Sequence, residues 1–191
     1  MKQWIEALKE ANNQEAFTDR LKRRCKETPN LSITFSEGYE QPLKTVRGFG
    51  WVYPSNDELT SVMLAEDDQH LYTYSKNIHE QLPQTIQLLQ ENPNTRRAII
   101  YLTDAQHSQA QEHQPCLVAA YCSVRNQQLH LTLYARSIDL FIGFPANLYQ
   151  AYTLAKKISE ELKQPLGSVS FVINSAHIFE DYQQELQQVI N

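Results

Sequence analysis

The chain has no apolar run near the roughly 20 residues that a bilayer-spanning helix needs. Its amphipathic start at Met1 lacks the apolar core of a secretory leader. Cysteine is scarce: Cys25, Cys116 and Cys122 show no metal-ligand spacing, and their odd number suits a reducing compartment. There is no excess of positive charge. A net charge of −5 argues against a general nucleic-acid binder but leaves room for a local basic pocket for a phosphate. Repeats and linkers are missing too. What remains is 41% hydrophobic and 20% charged, a globular balance. The expectation is one cytoplasmic domain, residues 1–191, with no membrane or nucleic-acid partner.

Periodicity outlines an α/β chain. Residues 1 to about 27 read as helical, with Trp4, Ile5, Leu8 and Phe17 as core candidates. The basic run Arg20, Lys22, Arg23, Arg24 and Lys26 is then either a solvated helix face or the source of one phosphate-binding arginine. Leu31 to Phe35 alternates as a strand, and Val46 to Tyr53 does so more weakly because of Gly48 and Gly50. Pro54 to Asp57 reads as a turn or helix cap. Lys76 to Glu91 is an amphipathic helix in which Pro83 marks a kink or a late start. Arg97 to Leu102 is a short strand, and Thr103 to Gln114 an exposed loop. Residues 116–124 and 128–135 are expected to pair as an antiparallel hairpin. Helix 148–163, strand 168–173 and helix 179–190 complete the chain.

The stretch Leu131 to Leu148 concentrates the chemistry. A strand alternating at Leu129, Leu131 and Leu133 runs into Arg136, Ser137 and Asp139, then through Gly143 and Pro145 to Asn147. A polar cluster where a strand turns into a helix suits a polar ligand. Cys116 follows Pro115 at a loop–strand junction; it is either a small buried hydrophobe or, as a thiolate beside a cation, a nucleophile. Arg96, Arg97 and Arg136 are either solvated or a set of bidentate donors for a phosphate. Asn147 either caps a helix or reads a pyrimidine edge with its paired donor and acceptor. His177 lies between a strand and a helix, and a Cys116–His177–Asp139 hydrolytic triad is a formal alternative.

These blocks, in this order, resemble the thymidylate synthases and related pyrimidine-nucleotide hydroxymethylases. Asn92 to Arg97 resembles the family's Pro-x-Ser-Arg-Arg block, and Gln114-Pro115-Cys116 its Pro-Cys block. Arg136-Ser137-Ile138-Asp139 with Gly143-Phe144-Pro145-Ala146-Asn147 matches its Arg-Ser-x-Asp and Gly-x-Pro-x-Asn signature. Ser175 to Phe179 resembles the His-x-Tyr block, and Leu71 to Ser75 the Tyr-Gly block. The likeness covers roughly residues 70 to 182 and is closest to the short, archaeal-type branch.

The resemblance implies a mixed sheet with flanking helices, the sheet lying at a homodimer interface. It implies one-carbon transfer, methylation or hydroxymethylation, to C5 of a dUMP-like nucleotide, with methylenetetrahydrofolate as the carbon source. Cys116 would add to C6, with Tyr74 supporting the thiol. Arg136 and Ser137 would bind the phosphate, and Arg96 and Arg97 would reach the other subunit's site. Asn147 would read the uracil edge, Asp139 would position the ring through its backbone, and His177 would hold the ribose.

Departures from the family pattern define the alternative, a catalytically degenerate nucleotide-binding or dimeric scaffold protein. Leu117 replaces a His, Phe179 a Tyr and Ala135 a Gln. The family's essential Glu has only Glu58 and Glu66 as candidates, neither in a fitting context. Its first-loop phosphate Arg falls to Arg23, Arg24 or Arg47. Fourteen residues follow His177, so the C-terminal segment that closes over folate is expected to be absent.

Overall fold

A computed structural model describes residues 1–65, 74–103 and 114–191. The elements are α1 (Lys2–Asn12), β1 (Ala16–Thr18), β2 (Arg24–Phe35), α2 (Gln41–Arg47), α3 (Asn56–Leu64) and α4 (Tyr74–Glu91), followed by β3 (Ile99–Tyr101), β4 (Leu117–Arg125), β5 (Gln128–Asp139), α5 (Gly143–Leu162), β6 (Leu166–Phe179), a 3₁₀ turn (Glu180–Tyr182) and α6 (Gln183–Ile190). Among the described residues, six strands form one mixed sheet in the order β1-β2-β6-β5-β4-β3. Only β5 and β6 run parallel, which requires the crossover that α5 supplies.

The β4–β5 hairpin forms as its sequence suggests. Asn126 and Gln127 both take positive φ (52° and 60°), the geometry of a two-residue turn whose twist matches the strands. Along β5, Leu129, Leu131, Leu133 and Ala135 are buried, and in β6 so are Val169, Phe171 and Ile173. Helices cover that face: α1 contributes Trp4 and Leu8, α4 Ile78, Ile86 and Leu89, and α5 Phe144, Leu148, Ala151 and Leu154 to one continuous core. Phe144 meets Phe171 edge to face at 5.1 Å, joining α5 to the middle of the sheet.

The opposite face carries no helix among the described residues. Register sets two rows across it: Thr34, Ser170, Thr132, Tyr121 and Ile99, then Ser32, Val172, Tyr134, Ala119 and Tyr101. Tyr101, Tyr134 and Val172 stand 57%, 42% and 36% exposed there, so apolar area is left facing outward on the sheet.

Several sequence expectations change. The first helix ends at Asn12, and β1, a turn and the start of β2 occupy residues 16–27. The basic run therefore lies on a turn and a strand, not on a helix face. Phe17 is 45% exposed on the edge strand, outside the core. Val46 to Tyr53 is not a strand: α2 ends at Arg47 and an irregular extended segment follows. The alternation there is real, since Phe49, Trp51 and Tyr53 turn inward while Val52 is fully exposed. Phe49 and Trp51 pack on Phe141, Trp51 also on Tyr182, and Tyr53 donates to the Ile142 carbonyl, instead of pairing a backbone ladder. Helix α4 runs through Pro83, whose exposed position puts the orphaned His79 carbonyl on the solvent side. Helix α5 begins at Gly143, five residues before the expected start, so Gly143 and Pro145 fall in its first turn, where a missing N–H costs nothing. Strand β6 reaches Phe179 and carries His177 within it, and the last helix starts at Gln183 after the 3₁₀ turn. The loop expected over Thr103 to Gln114 lies largely outside the described residues, as do Leu71, Tyr72, Thr73 and Glu66. No helix among the described residues is long and apolar enough to cross a membrane.

Candidate functional site

Three elements and a strand start converge on one cavity of about 400 Å³. Cys116 precedes β4, Tyr74 opens α4, Asn147 and Gln150 lie one turn apart on α5, and Glu58 projects from the first turn of α3. Pro54, Leu59 and Val62 give the cavity an apolar wall.

Glu58 arrives there through a local rule. Ser55 caps α3, accepting from the Glu58 N–H at 3.2 Å, while the Glu58 carboxylate accepts from the Ser55 N–H at 2.7 Å. That N–H, and then the Ser55 hydroxyl, hold the carboxyl below the usual carboxylate range. Arg47 steadies the same segment, donating to Asn56 Oδ1 at 2.7 Å and to the Pro54 carbonyl. Ser55-x-x-Glu58 ahead of Leu59, Val62 and Met63 is a helix-start signature with an inward face at i, i+3 and i+4. Extended past the cap, it would have placed this carboxylate.

Cys116 is a free thiol, half-buried. Burial pushes its pKa up, and the positive charge of Arg136 works against that rise. Arg136 is held beside it: its Nε donates to the Pro115 carbonyl at 2.9 Å, its Nη2 to the Gln114 carbonyl at 2.6 Å, and its backbone N–H to the Cys116 carbonyl at 3.0 Å. Tyr74, buried, accepts from the Leu117 N–H at 3.0 Å, which ties α4 to the residue after the thiol. Asn147 is not a helix cap. Five residues into α5, it donates from Nδ2 to Gln150 Oε1 at 3.0 Å.

A second polar group lies where β5 and β6 end side by side. Parallel register sets Ser137 opposite Ser175 and Asp139 opposite His177, and Ser137 Oγ lies 3.3 Å from His177 Nδ1. Asp139 Oδ1 accepts from the N–H groups of Phe141 and Ile142 at 2.8 and 3.0 Å, closing the turn into α5; burial nevertheless raises its pKa. The turn is fastened to the rest of the molecule. Trp4 Nε1 donates to the Leu140 carbonyl at 2.7 Å, and Tyr53 Oη to that of Ile142 at 2.5 Å. His177 meets Phe179 edge to face at 5.0 Å, and the guanidinium of Arg23 lies 3.7 Å over the Phe179 ring. Asp19 holds Arg23 there with a 3.2 Å ion pair. Of the three arginines considered for the first loop, Arg23 is thus the one joined to His177 through the Phe179 ring, while Arg24 pairs with Glu180 and Arg47 with the α3 cap.

The hydrolytic triad is not assembled. The charge acting on Cys116 is that of Arg136, while His177 Nδ1 faces Ser137. Arg96 and Arg97 are exposed between α4 and β3 and do not line the cavity. Gln150 escaped sequence reading because its neighbour relation to Asn147 exists only if α5 already includes residue 147.

A mixed α/β protein whose cavity joins a thiol, a carboxylate and an amide carries the groups of an enzyme site for a small polar ligand. A family model described as thymidylate synthase matches residues 40–191. The chain belongs to the thymidylate synthase family, a family of transferase enzymes. A thymidylate synthase of Haloferax volcanii is 30% identical over 141 residues, covering 73% of this chain but 41% of that protein. Relatives of the same family from Methanosarcina barkeri (26% over 179 residues) and Methanococcoides burtonii (23% over 187) match 88% and 94% of this chain and 81% and 85% of their own lengths. The chain thus spans less than half of the first relative and more than four fifths of the other two.

Proposed function

We propose that this protein transfers a one-carbon unit to C5 of a pyrimidine nucleotide, dUMP or a close analogue, through a covalent adduct between Cys116 and C6. The observation that carries the reading is the convergence of Glu58 with Cys116, Tyr74 and Asn147 on one cavity. A scaffold that had lost catalysis would have no need of a carboxylate on the cavity that holds the thiol.

In this reading the Cys116 thiolate forms the S–C6 bond, and the displaced electron pair makes C5 nucleophilic. Arg136 favours the thiolate over the thiol. Asn147 reads the ring edge, and Glu58 with Tyr74 handles protons at the ring carbonyl and at C5. Ser137, His177 and Arg23 form the sugar–phosphate end, joined by Arg136, while Asp139 orients the ring by fixing the backbone of its turn. The apolar wall of Pro54, Leu59 and Val62 suits a flat ring stacked over the base, which fits methylenetetrahydrofolate. That co-substrate supplies the carbon, and for methylation also the hydride.

The exposed Tyr101, Tyr134 and Val172 on the outward face of the sheet support a homodimer built face to face through it. Arg136 continues the outward-facing positions Thr132 and Tyr134 and is itself exposed, so a second copy on this face would lie beside it, and Arg96 and Arg97 are the arginines that copy would add to the same phosphate. Three free thiols fit the reducing cytoplasm.

The test is release of tritium from C5 of dUMP in the presence of methylenetetrahydrofolate. Release that disappears in Cys116→Ser is expected. Saturable dUMP binding without release would make the chain a nucleotide binder that has lost its chemistry.

A further inference from the structure

A primary amide is nearly symmetric in shape and opposite in polarity at its two ends. Asn147 can therefore discriminate between ring edges only if the protein fixes which end faces the cavity. Gln150 is placed to fix it. It lies three residues further along α5 on the same face, lines the cavity with Cys116 and Asn147, and is 6% exposed. Its Oε1 accepts from Asn147 Nδ2 at 3.0 Å. A polar side chain so deeply buried on an inward helix face is costly unless paired, so this bond holds both amides.

The hydrogen count then decides what remains. Nδ2 has two hydrogens, and one is committed to Gln150. The other, together with Oδ1, is left as an adjacent donor and acceptor. A uracil edge offers N3–H and the O4 acceptor, which complement that pair. A cytosine edge offers an acceptor at N3 and a donor at N4, so it meets like with like unless the amide turns over. Turning Asn147 over alone would set its Oδ1 against Gln150 Oε1, two acceptors, so both buried amides would have to turn together.

We propose that Gln150 is a positioning residue for substrate selection: by holding Nδ2 of Asn147 it locks the amide in the orientation that accepts a uracil edge and rejects a cytosine edge. This rests on the pyrimidine-nucleotide reading above.

The test compares dUMP and dCMP binding by calorimetry for the wild-type chain, Gln150→Leu and Gln150→Glu. Gln150→Ala replaces the leucine variant if circular dichroism shows that it does not fold. Wild type should prefer dUMP. Removing the acceptor should lower the dUMP-to-dCMP ratio roughly three- to tenfold. The carboxylate introduced by Gln150→Glu would still accept from Nδ2, so that variant should keep the wild-type ratio to within about twofold. A leucine or alanine variant with the wild-type ratio would overturn the inference alone, as would a glutamate variant that loses the ratio with it. Wild type binding neither nucleotide would overturn the nucleotide reading itself.

Discussion

Glu58 serves two demands with one carboxylate, and they can be separated. As the partner of Ser55 it closes the capping box of α3; it also lines the cavity that holds the thiol. Glutamine satisfies the first demand, because its amide oxygen still accepts from the Ser55 N–H, but it carries no charge. Glu58→Gln should therefore leave thermal unfolding unchanged while lowering tritium release by roughly 100-fold or more. A parallel fall in melting temperature would reduce Glu58 to a structural residue. At Cys116, burial raises the pKa and Arg136 opposes it. Alkylation by iodoacetamide should then accelerate with rising pH, with its midpoint above that of an ordinary exposed thiol. Arg136→Gln removes the opposing charge and should move that midpoint higher still, slowing alkylation at any fixed pH below it. A midpoint that moved down would contradict the assigned role of Arg136.

Element by element, legibility in the sequence follows how local the cause is. The β4–β5 hairpin, α4 and the strand entering Arg136 were readable because alternation, length and a two-residue turn all agree. Residues 46–53 misled because alternate burial was present without a strand partner; Phe49 and Trp51 pack on aromatic rings from the chain's second half, and Tyr53 bonds to a carbonyl there. The start of α5 was misplaced because Gly143 and Pro145 read as breakers, although the first turn of a helix tolerates both. Arg23 over Phe179 depends on pairing between β2 and β6, residues far apart in the chain, which no local pattern reports. Two substitutions test the elements that hold the site. Ser55→Ala should cost about 1 kcal/mol in denaturant unfolding by stripping the α3 cap. Phe171→Ala, fully buried in β6 against Phe144, should cost about 3–5 kcal/mol.

For the whole molecule, the proposed dimer is a condition of a complete site. Arg96 and Arg97 lie away from the cavity of their own chain, and the exposed rows of the sheet suit a second copy. Arg97→Ala and Cys116→Ser should each be inactive alone, yet a mixture exchanged under mild denaturant should recover roughly a quarter of wild-type activity. Half of randomly mixed dimers pair the two variants, and each such dimer holds one site with both residues intact. No recovery, with mixed dimers present, would place the arginines in their own subunit's site or outside any site.

Intact-mass measurement reads the covalent step itself. The chain would be incubated with 5-fluoro-dUMP, with and without methylenetetrahydrofolate, beside the Cys116→Ser variant. Fluorine at C5 cannot leave as a proton does, so the adduct should persist as a mass gain equal to nucleotide plus folate, absent from the variant. A wild-type chain that binds dUMP but shows no mass gain under these conditions would contradict the account.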